Sequence, residues 1–133
     1  MDDDSDYPSG PWIGFYLYEA NSIRHRQELT LNFKQGNLSG DGLDGVGAFI
    51  IRGKYARETR EVWWTKNYLG GHAVFYRGFR EGKGIWGTWE INSFARGGFK
   101  IWPKALGAGE DETEAAEADA PVELVGQNVE SKG

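Results

Sequence analysis

Between Pro11 and Pro103 the chain reads as eight short apolar runs, each closed by a turn that carries glycine. The runs cover roughly residues 12–19, 26–34, 37–43, 47–56, 61–69, 72–80, 84–92 and 98–103. Gln35-Gly36, Asp44-Gly45, Gly70-Gly71 and Gly82-Lys83 each suit a two-residue hairpin, because glycine, asparagine and aspartate tolerate the positive φ that such turns demand. Connections of about two to six residues leave no room for a crossover helix, so each pairing is antiparallel. Eight strands of this length commonly close into a barrel, which removes the exposed edges. The expected fold class is therefore all-β, an eight-stranded up-and-down antiparallel β-barrel.

Following directly opposed pairs from each turn assigns the two faces. One phase collects Leu29, Leu31, Phe33, Phe49, Ile51, Trp63, Val74, Tyr76, Ile85, Trp89, Ile91, Phe99 and Ile101 on the inside. Glu28, Lys34, Arg52, Lys54, Lys66, Arg77, Glu90 and Lys100 then fall outside, and a one-residue slip would bury charge. The first strand admits either phase, Ile13/Phe15/Leu17 or Trp12/Tyr16/Tyr18. A row of Gly53, Trp63, Gly78 and Gly87 suggests an indole lying across bare backbone to close one end.

The net charge of −5 conceals a segregation. Residues 7–104 carry 14 Lys/Arg against 8 Asp/Glu, whereas residues 1–6 carry four acids and residues 105–133 eight acids against Lys132 alone. The expected organisation is a disordered acidic tail over 1–9, a barrel over 10–104 and a disordered acidic tail over 105–133. The tails either solubilise the chain or fold back to screen a basic face. With no cysteine there is neither a disulfide framework nor thiolate chemistry, which fits a cytoplasmic location. The acidic N-terminus is not a secretory signal, and no apolar run approaches the ~20 residues of a membrane helix, so no membrane association is expected.

The meander, the stretch Trp12-Ile13-Gly14-Phe15-Tyr16 and the stretch Gly84-Ile85-Trp86-Gly87-Thr88-Trp89 resemble the lipocalin/avidin (calycin-like) barrels. Gly10-Pro11-Trp12 is similar to the Gly-x-Trp signature that opens the first strand in those proteins, and residues 37–80 resemble lipocalin-like domains of undescribed function. Over residues 10–103 the resemblance implies a barrel with a ligand mouth, and no particular ligand. The lipocalin disulfide cannot form here, and no biotin-contacting set matches residue by residue.

At the expected mouth the loops bring Asn21, Ser22, His25, Asp44 and Ser93 above the inward-pointing Thr65, Asn67, His72, Tyr76 and Trp89. Apolar walls with a few convergent polar groups suit a small molecule. The leading function is thus non-catalytic binding of a small, partly apolar ligand, with Tyr76 and Trp89 stacking and Thr65, Asn67 and His72 orienting it. A second class is an interaction module whose outer face, with Phe75, Arg77, Phe79 and Trp86, binds an acidic protein or nucleic acid. Of these two, a protein partner is expected before a nucleic acid. A barrel isomerase using Tyr76 or His72 as acid/base is a third. No catalytic, cofactor or metal motif is present: His25, His72 and Asp44 lack a known zinc spacing, and Asp41 and Asp44 lack the EF-hand pattern. An eight-stranded barrel holds only side chains or one small ligand, so the state of its interior decides between the first two classes.

Overall fold

Strict polar–apolar alternation between glycine-bearing turns builds β2 (Arg24–Lys34), whose residues from Gln27 to Phe33 alternate buried and exposed without a break. The computed structural model describes residues 6–19, 21–92 and 95–107. The other strands are β1 (Gly10–Tyr18), β3 (Asn37–Asp44), β4 (Ala48–Ala56), β5 (Glu61–Tyr68), β6 (Ala73–Glu81), β7 (Gly84–Ile91) and β8 (Ala95–Pro103). One helical turn, α1 (Lys104–Gly107), follows. Each strand pairs antiparallel with its sequence neighbour, and β1 pairs with β8, so the sheet closes as an eight-stranded up-and-down barrel. Of the tail expected over 105–133, residues 105–107 instead belong to α1, and residues 108–133 lie outside the described residues. No helix among the described residues is long and apolar enough to cross a membrane.

The turns explain the register. At Gln35-Gly36 both residues have positive φ (51° and 83°), the two-residue geometry that matches strand twist, and Phe33 faces Leu38 as expected. β1 resolves to the phase of Trp12, Tyr16 and Tyr18, which join the main core. Ile13 and Trp102 pack together on the outside under Phe15. Across β3 and β4 the pairing is Leu38 with Gly53 and Gly40 with Ile51, two residues from the expected pairing and on the same face. Between β7 and β8, Ile85 opposes Ile101.

One strand is inverted. Trp63 was expected inside and Lys66 outside, but Val62, Trp64, Lys66 and Tyr68 are buried while Trp63 is exposed. The two turns flanking β5 are the cause. The expected faces place Gly53 opposite Trp63, which requires a five-residue connection over 56–60, but Ala56 pairs with Glu61 and leaves four residues (57–60). Tyr68 N–H donates to His72 O, leaving a three-residue loop with Gly70 at φ 73° rather than a two-residue one. Each change shifts β5 by one residue against its neighbour, and the two cancel, so β4 and β6 keep their expected faces. The indole beside the inward glycines is therefore that of Trp64, whose Cβ would lie 2.6 Å from a Cβ built at Gly53. Trp64 stacks on Tyr76 at 5.0 Å between ring centroids and meets Phe99 edge-on.

The end of the barrel opposite the expected mouth is closed by chain placed in the N-terminal tail. Tyr7 is buried between Phe33 and Tyr55, with centroid separations of 5.5 and 4.7 Å, so the segment from Asp6 onward belongs to the domain. Ser9 Oγ accepts the Phe33 N–H at 2.9 Å. The buried Arg80 guanidinium binds the backbone carbonyl oxygens of Asp6, Gly82 and Gly84. The barrel bottom is a plug of aromatic rings around a satisfied cation.

The inverted strand gives a direct test. Trp64→Ala should cost about 3–5 kcal/mol in urea unfolding, whereas Trp63→Ala should stay within about 1 kcal/mol. The opposite ranking would restore the phase expected from the sequence.

Candidate functional site

A lysine inside a β-barrel needs a reason, since an unpaired charge in an apolar core is strongly unfavourable. Lys66 is fully buried at the mouth end, and its neighbours supply that reason. Its Nζ donates to Asp44 Oδ2 at 2.6 Å, to Gln27 Oε1 at 3.1 Å and to Tyr76 Oη at 3.3 Å. The rings of Phe49, Tyr16, Tyr68 and Tyr76 surround the ammonium at 4.2, 4.7, 5.0 and 5.4 Å from their centroids, within cation–π range. Asp44 reaches in from the end of β3 with its side chain wholly buried. Its Oδ1 accepts the N–H groups of Val46 and Gly47, which shapes the β3–β4 turn, and its Oδ2 also accepts the Tyr68 hydroxyl at 2.6 Å. One carboxylate thus caps a loop and neutralises the core cation.

Burial lowers the Lys66 pKa to about 8, against the opposing pull of the Asp44 charge and hydrogen bond. Burial likewise pushes the Tyr68 and Tyr76 hydroxyls well above their ordinary range. These groups form a cage that encloses the ammonium.

Above this cage a cavity of about 50 Å³ is bounded by Tyr16, Tyr18, Val46, Tyr68, His72, Val74, Tyr76, Trp89 and Ile91. That is room for one or two waters, not for a partly apolar ligand of ordinary size. Of the residues expected to line the mouth, the structure brings together His72, Tyr76 and Trp89. His72 is exposed at the rim against the Tyr68 ring. Trp89 is buried, and its indole N–H is already committed to Leu17 O at 3.0 Å. Thr65 and Asn67 project from the outer face instead, because they alternate with the buried Trp64 and Lys66. His25 stacks on Tyr16 at 4.8 Å, Asn21 accepts the Ile23 N–H in a local turn, and Ser93 lies outside the described residues. Among the described residues no cluster of three or more His, Cys, Asp or Glu could hold a metal ion.

The larger concavity is on the outer wall. A groove of about 760 Å³ crosses β3–β6, lined on the outside by Asn37, Ser39, Arg52, Lys54, Trp63, Thr65 and Phe75. Ser39, Arg52, Thr65 and Phe75 form one cross-strand row, and Asn37, Lys54, Trp63 and Arg77 the next. Cations therefore stand at the β4 end of the groove and aromatic rings at the β5–β6 end. The wall continues through Phe79 and Trp86, which oppose one another across β6 and β7. Trp63, Phe75, Phe79 and Trp86 are 38%, 46%, 45% and 49% exposed, an unusual density of bare aromatic surface. Arg77 lies among them, held by Glu61 at 2.6 Å. Phe75, Arg77, Phe79 and Trp86 were legible as this surface; Trp63, Arg52 and Lys54 complete it, and the inverted β5 phase hid the tryptophan.

No family model matches this chain, and no curated protein or solved structure matches it either. The class defined by fold and site is a closed eight-stranded antiparallel barrel with a filled interior and an aromatic, cationic outer groove.

Two outcomes follow for the cage. Asp44→Asn keeps the loop cap but strips Lys66 of its counter-charge, and should cost about 3–5 kcal/mol in urea unfolding. Adding Lys66→Met should recover part of that loss; a strictly additive double variant would show that the two groups do not act as a pair. The pH response has a defined sign. An unfolded lysine titrates near ~10.4, so between about pH 8 and 10 the unfolded chain binds the extra proton, and stability rises with pH by at most about 1.4 kcal/mol per unit. Above about pH 10 the unfolded tyrosines ionise while Tyr68 and Tyr76 stay protonated, and stability falls. Urea midpoints across this range should peak near pH 10, and the Lys66→Met/Asp44→Asn variant should lose the rising limb.

Proposed function

We propose that this protein is a non-catalytic binding module that engages an acidic polypeptide through the outer groove of β3–β6. One observation carries the reading: the groove of about 760 Å³ is built from bare aromatic rings beside cations, while the mouth cavity is about 50 Å³. Aromatic anchors beside arginine are the side chains that dominate binding energy at protein interfaces. The excess of 14 Lys/Arg over 8 Asp/Glu in residues 7–104 favours an anionic partner and speeds its approach. A closed barrel has no free edge for strand addition, so recognition here runs through side chains. The architecture reads as lipocalin/avidin-like, supported by the up-and-down closure and by Trp12 near the start of β1, with the binding surface moved from mouth to wall.

A second reading, small-ligand binding at the mouth, is favoured by the cluster of His72, Tyr76 and Trp89 around the small cavity. Its ligand would have only a few heavy atoms.

A labelled glutamate-rich peptide punctuated with leucine, followed by fluorescence anisotropy, separates the two. Arg52→Glu and Trp63→Ser should each weaken binding about tenfold or more, equivalent to at least about 1.4 kcal/mol, and His72→Ala should leave it unchanged. Binding that survives both outer-face changes would overturn the reading.

A further inference from the structure

We propose that the groove has an occupant within the same chain: the segment 121–125, Pro121-Val122-Glu123-Leu124-Val125, in the acidic region that follows α1. The inference rests on the outer-face reading above and adds its regulation, because an external acidic partner must displace this segment.

Complementarity selects the segment. The groove offers Trp63 and Phe75 at one end and Arg52 and Lys54 at the other. The stretch 121–125 sets Glu123 between Val122 and Leu124, and it sits in a region whose residues 105–133 carry eight acids against one lysine. In an extended conformation successive side chains point to opposite sides, so Val122 and Leu124 share one face and meet the aromatic rings. Glu123 then points away from the wall, and the acids upstream, Asp119 and Glu117 first, supply the negative charge that complements Arg52 and Lys54. Proline at position 121 favours that extended backbone.

Reach is sufficient. The described chain ends at Gly107, at the end of the barrel that also carries the 35–36 and 57–60 turns next to Asn37, Lys54 and Trp63. From β1 to β4 is three strand spacings, roughly 14 Å along the wall. Thirteen residues lie between Gly107 and Pro121, and the fourteen Cα steps span at most about 49 Å when extended, or about 21 Å root-mean-square as a coil. A tether of this kind presents the segment at a local concentration on the order of millimolar, enough to hold a site of modest affinity.

A second outer concavity is a poorer host. A groove of about 320 Å³ lies closer to the chain exit, lined by Pro11, Thr30, Leu43 and Lys104 but also by Glu28 and Asp41. Its carboxylates repel an acidic segment, and its exposed apolar group is aliphatic rather than aromatic. Charge sends the segment past the near groove to the far one.

The test uses the full chain. Because the sequence has no cysteine, Gln127→Cys provides a single site for a nitroxide spin label next to the docking segment. Paramagnetic broadening should fall on the amide signals of Trp63, Thr65 and Phe75 and on the Trp63 indole, sparing Thr30 and Leu43. It should fade at about 0.5 M salt, where charge interactions are screened, and vanish in Arg52→Glu/Lys54→Glu. Replacing the eight acids of residues 105–133 by their amides should raise the affinity for the labelled glutamate–leucine peptide about tenfold. Broadening centred on Thr30 and Leu43, or spread over all faces, overturns the inference. If such a result comes with tight groove binding of the peptide, the intramolecular occupant falls and the binding module stands. If the groove variants also leave peptide binding unchanged, both fall together.

Discussion

The ion pair between Lys66 and Asp44 is the contact on which the arrangement of this barrel depends. An ammonium and a carboxylate 2.6 Å apart, both without solvent exposure, forgo hydration that only good geometry offsets. Here the geometry is supplied from all sides: Gln27 and Tyr76 accept from the ammonium, Tyr68 and the 46–47 amides donate to the carboxylate, and aromatic faces line the rest. Such a pair is of modest net worth to stability, but it is specific. It fixes which face of β5 points inward, and it ties that strand to the β3–β4 turn across the mouth. Slipping β5 by one residue would expose the lysine and leave Asp44 buried without its cation.

The consequence for function is spatial. The mouth end is filled by Lys66, its aromatic cage and Trp89, and the other end by Tyr7 and Arg80. A barrel sealed at both ends by a satisfied cation has little interior left to offer. The same strand inversion that brings Lys66 in sends Trp63 out, beside Phe75 and across from Arg52 and Lys54. Core and groove are therefore two faces of one register, and the interaction that stabilises the first creates the second.

Most of the architecture was legible in the sequence because glycine-bearing turns and alternation report directly on strands and closure. The phases of β2, β4, β6, β7 and β8 follow from their apolar residues alone. β5 did not yield to the same logic. Its alternative faces, Val62/Trp64/Lys66/Tyr68 and Trp63/Thr65/Asn67, each carry a tryptophan, and the rule that charge stays outside selects the wrong one. The missing information was a partner for Lys66 that lies 22 residues earlier in the chain, in what reads locally as a plain turn aspartate. The signal available in advance was loop length, because counting the connections on either side of β5 one residue differently inverts it alone. The outer site was half legible for the same reason: Phe75, Arg77, Phe79 and Trp86 lie on strands whose phase was right, and Trp63 does not. Tyr7 is not legible as core, because a single aromatic within an acidic stretch carries no periodicity.

Core and groove both require Lys66 to sit inside the barrel against Asp44. Side-chain carbon NMR of the Lys66 ε-methylene through a pH titration of the folded protein tests it most directly. A buried Lys66 should titrate with a midpoint near 8, lowered by burial, with ammonium protons protected from exchange with water. A midpoint near the unperturbed value of ~10.4, with rapidly exchanging protons, would place Lys66 on the outer surface and contradict both the register and the groove built on it.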